Sequence, residues 1–117
     1  MSYETIIIEK QGHIRILRLN RPTRLNAMSQ VMLGEIARAC DEMEADPDCR
    51  VVVVTGEGKA FTPGFDLQDQ SANPPQGHDA WKPVLRRDFD NVIRFWSLSK
   101  PTIAAVNGPA LAGGCEL

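Results

Sequence analysis

The apolar and polar positions near the start of the chain fall into short β patterns. Residues 3–9 (Tyr-Glu-Thr-Ile-Ile-Ile-Glu) are rich in β-branched types and predict a strand. Gln11-Gly12 predicts a turn. His13 to Leu19 then sets Ile14, Ile16 (or Leu17) and Leu19 against Arg15 and Arg18, a second strand and hairpin partner. Asn20-Arg-Pro-Thr-Arg24 ends it, because proline cannot donate to a ladder. Ser29 is a candidate N-cap for a helix to about Ala45, with Met32, Ile36, Ala39 and Met43 on one face and Glu35, Arg38, Glu42 and Asp46 elsewhere. Asp46-Pro47-Asp48 stops it, and Val51 to Thr55 is an unbroken apolar run, the pattern of a strand covered on both faces.

Gly56 to Leu67 is a glycine-punctuated loop, and the Gln-, Asn-, Pro- and Gly-rich stretch Gln68 to Gly77 predicts a mobile one. Trp81, Leu85, Phe89 (or Asp88), Val92 and Trp96 predict a second amphipathic helix over 80–97, its apolar side packed in the core. Lys100-Pro101 breaks it, Thr102 to Val106 predicts another buried strand, and Asn107 to Leu117 follows as a second glycine-bearing loop. Strands alternating with helices of this length imply βαβ units with right-handed crossovers. No internal repeat or interdomain linker interrupts the pattern, so the chain is one domain or part of one.

Composition narrows the class. The 117 residues are 43% hydrophobic and 24% charged, with a net charge of −2, the profile of a globular domain. Folding at this length buries roughly two-thirds of the extended chain's surface. The cations are scattered apart from Arg86-Arg87, which argues against a nucleic-acid or membrane-surface partner. The start carries no basic, apolar leader, and no apolar run approaches the ~20 residues of a membrane span. Cys40, Cys49 and Cys115 form no C-x-x-C pair, so neither a zinc site nor a disulfide framework is indicated; a reducing, cytoplasmic setting is expected.

The chemistry lies in the two strand–glycine-loop segments, Val51 to Leu67 and Ile103 to Leu117. In open α/β sheets ligands bind beyond the carboxyl ends of strands, and glycines there let backbone approach a ligand closely. Two such loops side by side could aim backbone N–H donors at one oxygen, an oxyanion hole for a carbonyl that gains negative charge. Glu116, just past Gly113-Gly114, is then a candidate proton-transfer carboxylate. The same spacing also fits tight turns that merely pack, and Glu116 also fits a solvated glutamate favoured by a helix dipole.

Three motifs go further. Leu19-Asn-Arg-Pro-Thr-Arg-Leu-Asn-Ala-Met28 resembles the L-N-R-P-x-x-x-N-A signature of the enoyl-CoA hydratase/isomerase (crotonase) superfamily. Gly58-Lys-Ala-Phe-Thr-Pro-Gly-Phe-Asp-Leu67 is similar to its G-x-A-F-x-x-G-x-D-[LI] loop, and Lys100 to Leu117 to its K-P-x-I-A-A-V-x-G-x-A-x-G-G-G-x-E-L segment. The resemblance implies an α/β fold of the ClpP/crotonase type, a spiral of ββα units, and an acyl-CoA enzyme that hydrates 2-enoyl-CoA thioesters. Other reactions of the family (isomerase, dehalogenase, aromatic acyl-CoA hydratase-lyase) and non-catalytic acyl-CoA binding are the alternatives.

Carried over by position, the resemblance gives Phe65 and Gly113 as the backbone oxyanion donors and Glu116 as the acid/base. It places Leu25, Ala27, Ala60, Asp66 and Leu67 along the coenzyme A site. Arg24 sits where a cation could meet a phosphate or stand solvated. Coenzyme A enters only as part of the substrate; no metal or redox cofactor is implied. In the family the chain continues past this glutamate, with a second catalytic carboxylate and the helices of a trimer or dimer of trimers. Residues 1–117 are accordingly expected to be the N-terminal part of a truncated single domain, with the strand at 102–106 laid open.

Ala112 replaces the first glycine of the usual triplet, Thr62-Pro63 stiffens the first loop, and Phe65 is bulkier than the common alanine and could shape an acyl pocket. His13, His78, Cys115 and Tyr3 are read as structural or solvated, and Trp81 and Trp96 as core.

Overall fold

The computed structural model describes residues 3–66, 69 and 77–111, with only the backbone of His78, Ala80 and Val92. The elements run β1 (Ile6–Gln11), β2 (Ile14–Leu19), a 3-10 turn (Pro22–Arg24), α1 (Gln30–Ala45), β3 (Val51–Gly56), α2 (His78–Val92) and β4 (Thr102–Ala104). The strands form one sheet in the order β1-β2-β3-β4. β1 and β2 are an antiparallel hairpin, with Ile6 opposite Leu19 and Gln11 opposite Ile14. Gly12 takes φ 61 at the first loop position, where primed hairpin turns demand left-handed backbone. β2–β3 and β3–β4 are parallel, with Ile14 beside Val51 and Val52 beside Thr102. The expected βαβ arrangement is therefore present.

α1 forms where cap and periodicity agree. The Ser29 hydroxyl accepts from the Met32 N–H at 3.2 Å. Met32, Leu33, Ile36, Ala39, Cys40 and Met43 turn inward onto Leu17, Leu19 and Val52 of the sheet. Each of the larger ones, the leucine, isoleucine, valine and methionine side chains, contributes roughly 1.5–3 kcal/mol on burial. The helix ends at Asp46, before Pro47, and the Lys100 ammonium donates to the carbonyls of Met43 and Asp46, adding to the backbone N–H each already accepts at this end.

Several expectations are corrected. In β2 the buried face is Arg15, Leu17 and Leu19, and Ile14 is 39% exposed. Arg15 is tolerated there because its guanidinium donates to the Gly12 carbonyl at 2.9 Å and to Asp46 at 3.1 Å. Glu35, expected on the outer side of α1, is buried and accepts from the Glu4 and Thr5 amides at 2.7 and 2.8 Å. In β3 only one face is fully covered, by alternation of buried Val52 and Val54 with half-buried Val51 and Val53. β4 is shorter than expected; the exposure of residues 102–106, by contrast, agrees with a strand laid open in residues 1–117, since among the described residues β4 is an edge strand. The second helix ends at Val92 rather than 97, and its inward position is Asp88. Leu85 and Phe89 are each 57% exposed and Trp96 is 89% exposed, while the residue that enters the core after the helix is Phe95. The apolar periodicity is real, but at Leu85, Phe89 and Trp96 it faces away from the core.

Candidate functional site

β2, β3 and β4 run parallel, so the segments leaving them emerge along one margin of the sheet. These segments are 20–28, 57–66 and 105–111, and backbone bonds join them. Met28 bridges Phe65, and Thr62 bridges Ala110. The Phe61 and Thr62 amides donate to the Pro109 carbonyl at 3.1 and 3.2 Å, and Leu111 N–H donates to the Thr62 carbonyl at 3.1 Å. The two glycine loops thus lie side by side as far as Leu111.

Two side-chain amides, one buried and one exposed, lock this arrangement. Asn26 is fully buried at φ 63, which an asparagine tolerates better than most residues. Its Oδ1 accepts from Arg21 N–H at 2.8 Å, and its Nδ2 donates to the Glu57 and Ala60 carbonyls, each at 2.9 Å. Its own carbonyl accepts from the Thr62 hydroxyl at 2.7 Å. Asn107 does the same from the other side: its Oδ1 accepts from Gly56 N–H at 3.0 Å and its Nδ2 donates to the carbonyls of Gly58 and Ala60. Gly108 permits the contact, because a Cβ there would stand 2.1 Å from the Lys59 carbonyl oxygen. None of Arg21, Asn26, Thr62 and Asn107 carries a role that spacing alone would assign; their place inside the motifs was the only signal.

The geometry around Phe65 bears on the chemistry. Met28 N–H donates to the Gly64 carbonyl at 2.7 Å, and Asp66 N–H donates to the Met28 carbonyl at 2.9 Å. The Gly64–Phe65 peptide is trans and planar, so the Phe65 N–H points opposite to the Gly64 carbonyl, out of the bridge. It has no acceptor among the described residues. Gly64 itself holds φ 111, a conformation that favours glycine.

A cavity of about 420 Å³ opens here, lined by Arg24, Leu25, Ala27, Pro63, Phe65 and Asp66, with Thr23 at its edge. Of the predicted site residues, the structure therefore gathers Arg24, Leu25, Ala27, Phe65 and Asp66. Leu25 is 52% exposed at φ 55, presented by a left-handed turn. The Phe65 ring packs partly against the core. Ala60 is buried in the loop junction instead of lining the cavity. Leu67, Gly113, Glu116 and Cys115 lie outside the described residues, as does the side chain of His78.

Asp66 is a buried carboxylate held by the protein. Oδ1 accepts from the Asp69 N–H at 3.1 Å, and Oδ2 pairs with Arg21 Nη2 at 3.0 Å. Burial pushes its pKa up, but the Asp69 amide, the Arg21 guanidinium and the nearby Arg24 outweigh that and hold it below the usual aspartate value. It stays ionised and accepts hydrogen bonds without donating them.

The sequence as a whole matches the family model described as enoyl-CoA hydratase/isomerase over residues 9–117. The chain belongs to the enoyl-CoA hydratase/isomerase family. Among solved structures of the family, an enoyl-CoA hydratase/isomerase from Xanthobacter autotrophicus Py2 is 53% identical and superposes with a TM-score of 0.93 over 98% of this chain and 43% of that one. The enoyl-CoA hydratase EchA19 of Mycobacterium tuberculosis is 37% identical over 95% of this chain and 42% of its own length. The mitochondrial Delta(3,5)-Delta(2,4)-dienoyl-CoA isomerase of Homo sapiens is 35% identical over 99% of this chain and 38% of its own. The chain thus spans less than half the length of these enoyl-CoA hydratase/isomerase relatives, and its crotonase-like α/β fold is the one its motifs imply.

Proposed function

We propose that this chain supplies both backbone donors of an oxyanion hole in an enzyme that hydrates 2-enoyl-CoA thioesters. The observation that carries the reading is the Phe65 N–H, turned out of the Met28 bridge by a peptide whose other end is bonded. A thioester carbonyl placed against it would be polarised, and the enolate that forms as water adds at C3 would be held where its charge develops. Gly113 would give the second N–H and Glu116 would move the proton, with a further carboxylate from outside these residues. Arg24, Leu25 and Ala27 at the cavity, and Leu67, would face the coenzyme A moiety, with Arg24 placed for a phosphate. The reaction drawn this way uses no metal or redox cofactor, so a chelator leaves its rate unchanged. The active assembly is a homotrimer or dimer of trimers, to be measured by light scattering, and it works in the cytoplasm. No helix among the described residues is long and apolar enough to cross a membrane.

The test is loss of the conjugated enoyl-thioester absorbance of crotonyl-CoA and of longer enoyl-CoAs. Turnover by the wild-type protein and its loss in Glu116→Gln are expected; a wild type that leaves every enoyl-CoA unchanged refutes hydration. The similarity to a dienoyl-CoA isomerase favours double-bond migration as the second reading. Mass spectrometry separates the two, because hydration adds the mass of water and isomerisation adds nothing.

A further inference from the structure

We infer that Arg21 and Asp66 act as a positioning pair that sets the direction of the Phe65 N–H, an inference that rests on the oxyanion-hole reading above. Met28 is the acceptor and donor that orients the two peptides flanking Phe65, so the N–H is only as well placed as residues 27 and 28. Arg21 holds them. Its Nη1 donates to the Ala27 carbonyl, its Nη2 pairs with Asp66 Oδ2 at 3.0 Å, and its own N–H is taken by Asn26. One guanidinium therefore grips both strands of the Met28–Phe65 bridge, the first through the Ala27 carbonyl and the second through the Asp66 side chain. The planar fork suits this double grip, which an ammonium would meet less well. The two side chains are 19% and 6% exposed, so water competes poorly for them. The opposite charges compensate each other, and the pair therefore works by placement rather than by adding a field at the oxyanion.

Losing the pair releases the Ala27 carbonyl and the loop at 66, and a reacting group displaced by about 1 Å can lose on the order of 10²-fold in rate. Donors aimed at an oxyanion act mainly in the transition state. Asp66→Asn and Arg21→Met should accordingly lower kcat on the order of 10²-fold while KM moves little, and Arg21→Lys should recover part of the loss.

The decisive experiment has two readouts on the full chain. The first is the dipolar coupling of the Phe65 N–H in ¹⁵N-labelled wild type, Asp66→Asn and Arg21→Lys, with the Ile36 and Val52 amides reporting the core. A changed Phe65 coupling beside unchanged core couplings is expected. The second is the infrared carbonyl band of butyryl-CoA labelled with ¹³C at the thioester, a saturated ligand that cannot be hydrated. The band should move to lower frequency on wild type and return toward the free position on Asp66→Asn. If wild type shifts the band and Asp66→Asn leaves both readouts unchanged, the pair does not position the donor. If wild type itself fails to shift the band, the oxyanion-hole reading falls, and the catalytic purpose of the pair with it. A variant with altered core couplings is replaced by Arg21→Lys, which keeps the charge, and unaltered Phe65 geometry there likewise overturns the assignment.

Discussion

Replacing Asn26 by alanine tests the claim that a buried amide holds the loops together. The substitution removes one acceptor and two donors. The Arg21 N–H loses its Asn26 partner, and the carbonyls of Glu57 and Ala60 each lose a bond of 2.9 Å. A buried polar group left without its partner costs about 1–3 kcal/mol. Ala60 keeps the Asn107 amide at 3.2 Å and Glu57 is exposed, so the Arg21 N–H carries most of the loss. A methyl side chain at φ 63 adds about 1 kcal/mol of backbone strain. The expected total is roughly 2–4 kcal/mol, a large share of the ~5–15 kcal/mol that holds a domain together. In urea the midpoint should fall by about 1–3 M with an unchanged slope. Asn26→Gly separates the parts, because it lacks the same amide but not the left-handed freedom, and should recover about 1 kcal/mol over alanine. A loss below about 1 kcal/mol for Asn26→Ala would refute the reasoning, as would equal losses for alanine and glycine.

Glu35→Gln should destabilise by about 2 kcal/mol, because an amide replaces a charged acceptor of the Glu4 and Thr5 amides and the Thr5 hydroxyl. Burial raises the Glu35 pKa, but those bonds and Arg38 lower it further, so the net shift is downward. Its contribution is present above the ordinary value of 4.5 and is lost as pH falls through the lowered one, which urea midpoints measured across that range should show for wild type and not for Glu35→Gln. Gly108→Ala should lower the melting temperature by several degrees, since its Cβ would meet the Lys59 carbonyl, a backbone atom that cannot swing aside. Cys40 should resist iodoacetamide in the native protein and react on unfolding, because burial pushes its thiol up to about 12; peptide mass spectrometry reads the site.

The parts of the fold that were legible in the sequence are those where two local signals coincide. α1 announces itself through both Ser29 and a 3.6-residue stripe, and its boundaries and the apolar part of its buried face follow, though not the burial of Glu35. β2 is harder, because Ile14, Ile16, Leu17 and Leu19 offer two phases, and the one adopted turns Arg15 inward. The Gly12 carbonyl, set by a turn, and Asp46, distant in sequence, accept from the Arg15 guanidinium and make that phase tolerable. The Leu85–Phe89 stripe shows the limit of periodicity, which tells that a face is apolar and not what meets it. At the site, the motifs located the loops and Phe65, whereas the clasp by Arg21, Asn26 and Asn107 depends on contacts across some thirty to fifty positions. Ala60 illustrates the same limit, since a motif places a residue in a loop without saying which side it faces.

The order of the strands has a consequence for how the chain is made. Each strand pairs with the one synthesised just before it, β1 with β2, β2 with β3, β3 with β4. A sheet of this kind can grow in step with emergence from the ribosome, no strand having to insert between two already joined. Among the described strands β1 keeps one edge throughout, while the other passes to each new strand in turn. Part of the hazard of pairing with a neighbouring nascent chain therefore stays at the start, and part travels with the segment last delivered.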